Sequence, residues 1–403
     1  MKRTLQNPSV LVIAGTFALL GLLFVGFNWA RKSPSSPWQS DAVGASSDAP
    51  ANLFNPGGKV REDKPMPVYG NWKNFTVKDG LPDNKINAVR IDGDRVWAAT
   101  AKGLAVLENG RWKVYTKEDG LAHNGVLFLD VSEETGDLWI GTLGGLNRFS
   151  AGQFQTYNQF NSGMPNDVVY QVACQGKYVW MATGGGAGCL NTHTGQWEIF
   201  TEHNAPMHEP WTYGVSATKH MVYIAAWGGG VIEFNTQTRQ FRDYTDPDGE
   251  MELDLFVDDG VIHDITTSAY FDEGVLWVSA YFGLSEYDGK IWKGYYPENS
   301  GLASNFVNMV KARNGIAWAC TDNGLSSFDG NTWVTYRPHS EGSGGEVIIT
   351  QGAYVERRKA GNSISNNFIW GVDMDDNTVW VATAKGLSRG EVVEKLHNLP
   401  PKM

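Results

Sequence analysis

Candidate chemistry in this 403-residue chain gathers in a few short segments. Residues 203–211 read HNAPMHEPW and hold His203, Met207, His208, Glu209 and Trp211. Further on, His263 and Asp264 stand side by side. A histidine and a carboxylate that reach one substrate can work as general acid and base. His208, Glu209, His263 and Asp264 are therefore the residues an enzyme reading would use. His203, Met207, His208 and His263 also offer the nitrogen and sulfur donors that copper or zinc take. No short motif fixes their geometry, and solvated loop histidines are the plainer account. Asp246, Asp248 and Glu250 carry the oxygen ligands calcium prefers, without the full loop of a known calcium site. Trp227, Tyr281 and Phe282 are large aromatics in short segments rich in glycine. Aromatics with a few polar groups suit a ligand or protein contact. The expected contact set is His208, Trp211, Trp227, His263, Asp264, Tyr281 and Phe282, unless the aromatics only fill space. No catalytic residue, metal or cofactor is assigned.

Composition removes several classes. Lys and Arg number 33 against 44 Asp and Glu, a net charge of −11. That balance, with no dense basic run after the start, argues against nucleic acid as a partner. Cys174, Cys189 and Cys320 form neither a CxxC nor a CxxCH pattern, so zinc ribbons and covalent haem attachment lack support. The 47 glycines and 16 tryptophans point to many short strands joined by tight turns.

A repeat supplies the elements that must position these residues. WAATAKGL at 97–104 recurs as WIGTLGGL at 139–146, WACTDNGL at 318–325 and WVATAKGL at 380–387. WVSAYFGL at 277–284 lacks only the threonine, and looser copies begin at Trp180 and Tyr223. An alternating apolar segment precedes most copies and reads as strand a, before the Trp segment as strand b. Strand c runs out of the Gly-Leu, and an aromatic such as Trp112, Trp197, Trp292 or Trp333 marks strand d. Four short antiparallel strands per period of about 40–45 residues is the pattern of a β-propeller. Seven copies predict seven four-stranded blades over residues 67–392. The seventh lacks an aromatic strand d, while an orphan one around Trp72 precedes the first. Their pairing would close the ring and leave no open sheet edge. The b–c and d–a loops of a propeller share one face around the channel. Trp227, Tyr281, Phe282, the 203–211 segment and His263–Asp264 all fall on that face. Two stretches break the period: the acidic 246–262, and 338–365, which reads as a β-hairpin projecting from the ring.

These motifs resemble the two-component regulator propeller repeat, roughly G-L-x-x-N-x-V, then acidic-Gly-x-(L/V)-W-x-x-T-x-x-G-L, then aromatic-x-x-(F/Y)-T. The resemblance runs from about Trp72 to Arg389. It implies a sensor-type propeller that lies outside the inner membrane and binds ligand or mediates dimerisation. No kinase or DNA-binding segment accompanies the repeats, so the family's name is not carried over as a function. WD-repeat and quinoprotein readings are weaker, since the GH…WD signature and adjacent cysteines are missing.

Residues 9–29, SVLVIAGTFALLGLLFVGFNW, carry no charge and are long enough to cross a bilayer as a helix. A cleaved signal peptide is the rival, but FNWAR at 27–31 is a poor cleavage site. Lys2, Arg3 and the amino terminus against Arg31 and Lys32 favour a cytoplasmic N-terminus and a propeller outside the cytoplasm; a cytoplasmic propeller is the alternative. The expected order is a short cytoplasmic stretch (1–8), one transmembrane helix (9–29), a flexible linker (30–66), the propeller (67–392) and a tail (393–403). Such a chain reads as a membrane-anchored, periplasmic, non-catalytic binding module. It would be an accessory subunit of a membrane complex or a sensor working through a separate protein partner, with a small-molecule ligand as a further option. The competing reading is a propeller hydrolase or lyase with a His/acid or metal site at the channel mouth.

Overall fold

The computed structural model describes residues 64–246, 260–340, 342 and 344–397. The segment 9–29 lies outside them, and among the described residues no helix is long and apolar enough to cross a membrane. Seven antiparallel sheets follow one another along the chain. Blade one is built from Ile86–Asp92, Arg95–Thr100, Gly103–Glu108 and Arg111–Tyr115, paired in sequence order as strands a to d. The innermost strands of blades two to seven are Val126–Val131, Val169–Gln175, Thr212–Ala217, Thr266–Asp272, Val307–Arg313 and Ile369–Met374.

Each residue of the repeat motif has a job in this geometry. The tryptophan is core between blades: Trp97, Trp139, Trp277 and Trp318 are at most 2% exposed. Trp97 packs edge-on against Phe149 of the next blade at 5.6 Å, and Trp277 against Phe328 at 6.1 Å. The threonine holds the b–c turn. Thr100 Oγ1 donates to the Gly103 carbonyl at 2.7 Å and accepts from the Lys102 amide at 3.2 Å. Thr142, Thr183, Thr321 and Thr383 repeat the donation to their own glycines. In blade four, where Ala226 replaces the threonine, Thr266 of blade five reaches across to the Gly230 carbonyl at 2.6 Å. The glycine is required because its φ is positive and its Cα faces strand d. At Gly103 (φ +148°) a Cβ would sit 2.8 Å from the Tyr115 carbonyl oxygen.

Closure is by the first strand. Met66–Phe75 pairs antiparallel with Gly386–Leu396, completing the seventh blade. Phe75 stacks on Trp380 at 5.6 Å, and the Tyr69 amide donates to the buried Tyr336 hydroxyl of blade six at 2.9 Å. Blade six corrects one expectation. It holds six strands rather than four, because the hairpin Gly345–Gln351 and Tyr354–Ala360 pairs onto Trp333–Pro338 and continues the sheet instead of projecting from it. Val347 and Ile349 give the reason, since they are buried in one cluster with Met66, Val68 and Tyr69 of the closing strand.

Candidate functional site

The channel is shaped by an irregularity common to all seven inner strands. Each carries a bulge after its first residue, where one residue is skipped in the pairing with strand b. The skipped residues are Asn87, Leu127, Tyr170, Tyr213, Thr267, Asn308 and Trp370. A bulge re-aims side chains at a rim without ending the ladder. All seven are half-buried, at the end of the channel that the d–a loops enter. Three of them tie neighbouring blades: Asn87 Nδ2 donates to the Val126 carbonyl at 2.6 Å, Thr267 Oγ1 to Val307 at 2.7 Å and Asn308 Nδ2 to Ile369 at 2.8 Å.

Of the remaining four, Leu127 is aliphatic and Tyr170, Tyr213 and Trp370 are aromatic. Tyr170 meets Tyr213 at 4.7 Å, Tyr213 meets Trp227 at 5.1 Å, and Trp211 stacks on Tyr213 at 5.6 Å. Trp227 meets Tyr281 edge-on at 4.9 Å, and Tyr281 meets Phe306 at 4.0 Å. One continuous wall thus spans blades three to six. Burial pushes the Tyr281 phenol up to about 12, and burial followed by Tyr170 and Tyr281 pushes the Tyr213 phenol up as well. These hydroxyls stay neutral at physiological pH. On the far side Lys85 lies 4.8 Å over the Trp370 ring.

The structure therefore joins Trp211, Trp227 and Tyr281 of the expected set, and adds Tyr170, Tyr213 and Phe306. Phe282 packs instead on His263 at 4.5 Å. His263 and Asp264 turn out to hold turns. His263 Nδ1 accepts from the Ile265 amide at 2.9 Å. Asp83, His123, Asn166, Ser304 and Asn366 make the same bond two residues on in five other blades. An accepting Nδ1 needs a neutral ring, and burial lowers the His263 pKa despite Asp246 and Asp264 nearby. Asp264 Oδ1 accepts from the Asp246 amide at 2.8 Å, as Asn84 does from Val77, Asn124 from Lys117 and Asp167 from Gln159. Asn305 is the counterpart in blade six, and its Oδ1 is buried without a partner among the described residues because Pro297 stands where the amide should be. His208, His203 and Glu209 are exposed on their loop, whereas Met207 is core at 5% exposure and is withdrawn as a metal ligand. Asp248 and Glu250 fall outside the described residues, among which no group of three potential ligands gathers around a metal position.

Sequence reasoning missed the other end of the channel. A cavity of about 210 Å³ is lined there by all seven inner strands, together with Glu133 and Thr218 of the a–b hairpins. Four adjacent blades set alternating charges at equivalent strand positions, and three of these, Arg90, Asp130 and Lys311, line the cavity. Lys311 Nζ lies 2.6 Å from Asp373 Oδ1, Arg90 Nη1 lies 3.4 Å from Asp373 Oδ2, and Arg90 Nε lies 3.1 Å from Asp130 Oδ1. Burial opposes the Asp373 charge, but Lys311 and Arg90 prevail and hold its carboxyl below the usual range. At Asp130 burial prevails over Arg90 and raises the carboxyl. The signal was in the sequence: each of these charges directly follows the central apolar residue of its inner strand. It becomes visible only when the seven strands are aligned on their bulges.

No protein-family profile and no curated protein matches the sequence. Solved structures do. The extracellular domain of BT3049 from B. thetaiotaomicron, described as a hybrid two component system, superposes with a TM-score of 0.63 at 18% identity, over 80% of this chain and 42% of that one. That of BT4673 from the same organism gives 0.59 at 18% identity, over 80% of this chain and 40% of that one. The chain thus spans about two fifths of the length of these extracellular domains. A catalytically inactive virginiamycin B lyase from Staphylococcus aureus, solved with quinupristin, gives 0.58 at 11% identity, over 80% of this chain and 99% of that one. At these identities the likeness establishes the propeller fold.

Proposed function

We propose that this chain is a non-catalytic binding module, held outside the cytoplasm by residues 9–29, that takes a ligand or protein partner on the aromatic rim of its channel. The observation that carries the reading is the wall of Tyr170, Trp211, Tyr213, Trp227, Tyr281 and Phe306 on the loop face. Half-buried rings on a rigid scaffold lose little entropy on contact, and such residues dominate binding energy at interfaces. The turn-holding roles of His263 and Asp264 are those of a scaffold and speak against an acid–base pair there. The extracellular domains among the structural neighbours support the extracytoplasmic placement.

The test is affinity purification of the chain after detergent extraction and cross-linking, wild type beside Trp227→Ala and Tyr281→Ala. A stable partner or ligand-dependent stabilisation present in the wild type should be lost in both variants while their folds persist. Retention of every contact by folded variants would overturn the rim assignment. Alkaline carbonate extraction and protease protection of intact cells test the anchor. Release of the chain by carbonate, or protection of the propeller only by the inner membrane, would refute that part.

A further inference from the structure

The cavity at the a–b hairpin end is separate from the aromatic rim, and its chemistry is unlike that of the rim. Two carboxylates here, Asp373 and Asp130, already accept bonds from the protein. Asp373 accepts from Lys311 Nζ, Arg90 Nη1 and the amides of Ile91 and Met374. Asp130 accepts from the amides of Val131 and Cys174 and faces Arg90 Nε. Its donors are not committed. Lys311 spends one of three N–H groups, and Arg90 Nη2 meets no acceptor among the described residues. Ser216, 8% exposed, lines the cavity with a buried Oγ that has no partner among the described residues. Tyr270 belongs to the same lining and lies close enough to Arg90 for the two to interact electrostatically. Both cations grip one carboxylate, Asp373, so their free donors start from neighbouring points.

Unspent donors around a half-enclosed space call for an acceptor, and charged donors call for an anionic one. Charge balance narrows the choice. Arg90 and Lys311 are outweighed by Asp130, Glu133 and Asp373, of which Glu133 is exposed at the cavity edge. A simple anion would add to that excess, whereas a molecule with its own ammonium group would not. The volume of about 210 Å³ admits a solute of a few heavy atoms.

We propose that this cavity binds a small amino-acid-type zwitterion. Its carboxylate meets Lys311, Arg90, Ser216 and Tyr270, and its ammonium group faces Asp130 and Glu133. The site does not depend on the aromatic rim, so its failure would leave the rim reading untouched.

The experiment is calorimetric titration and thermal-shift measurement of the full chain with glycine and alanine, beside acetate, methylammonium and chloride at matched ionic strength. Glycine or alanine should give saturable binding, and each half-molecule should bind at least about tenfold more weakly, the loss expected for one charge-assisted contact. Tyr270→Phe and Ser216→Ala remove one donor each without unpairing a charge. Each should weaken binding several-fold and leave the midpoint of the unliganded protein unchanged. Lys311→Gln should abolish binding, and if it fails to fold the other two variants carry the test. A response to glycine no different from chloride would overturn the site. Acetate binding as well as glycine would overturn the ammonium half, and unchanged affinity in Tyr270→Phe and Ser216→Ala would remove the binding from this cavity.

Discussion

Replacing Trp72 with alanine tests how much of the ring's stability resides in its closing strand. Trp72 is 6% exposed and meets Tyr336 of blade six edge-on at 5.5 Å. Its six-membered ring also lies over Gly390 in the strand paired to it, where a Cβ would come within 2.8 Å. A tryptophan buries about 200 Å². At about 25 cal/mol per Å² that gives about 5 kcal/mol, an upper value because the unfolded chain is already partly collapsed. Large-to-small core substitutions of aromatics cost about 3–5 kcal/mol, so Trp72→Ala should fall in that range. Gly390→Ala should cost about 1–3 kcal/mol by overpacking against Trp72. In the Trp72→Ala background the space is empty, and the same change should become neutral or slightly stabilising, since alanine restricts the unfolded chain. The double-mutant cycle, read by urea denaturation with tryptophan fluorescence and circular dichroism, should therefore show coupling of more than about 1 kcal/mol. A cost below about 1 kcal/mol for Trp72→Ala, or additivity within about 0.5 kcal/mol, would refute the argument that this contact seals the ring.

Two further outcomes are expected. The channel aspartates should shape stability against pH in opposite directions. Asp373 is held below its ordinary 3.8, so the unfolded chain binds more protons in that window and stability is lost as pH falls through the folded value. Asp130 is raised above 3.8, so the folded chain binds more protons and stability declines as pH rises through that window. Urea midpoints across a pH series should lose the first slope in Asp373→Asn and the second in Asp130→Asn; profiles unchanged in both would contradict the assignment. Gly103→Ala and Gly93→Ala both place alanine at positive φ, but only at Gly103 does the Cβ meet a backbone oxygen, and Gly93 faces open space. Each should lose about 1–3 kcal/mol to conformation, with Gly103→Ala the more costly by the clash, and equal thermal midpoints would show that the strand d carbonyl does not constrain the repeat glycine.

Much of the fold is legible in the residues because each repeat position answers to local physics. A glycine at positive φ, a threonine that closes its own turn and a tryptophan between blades recur at fixed spacing. The sequence alone therefore determined seven blades, their strand order and closure by the segment around Trp72. It also placed Trp211, Trp227 and Tyr281 on one face, since loop sidedness follows from strand order. Other features needed the tertiary structure. Val347 and Ile349 read as an ordinary hairpin, and only the apolar surface of the closing strand, nearly 300 residues away in the chain, decides that the hairpin lies down on it. His263 and Asp264 look like chemistry by type and become turn-holders by register. The rim and the charged arc are likewise products of the ring. A bulge turns Tyr170 and Tyr213 to the channel mouth, and seven-fold winding brings Lys311, Asp373, Arg90 and Asp130 together from four blades. Spacing along a chain fixes what each blade must be; only the closed ring decides which side chains share the space at its axis.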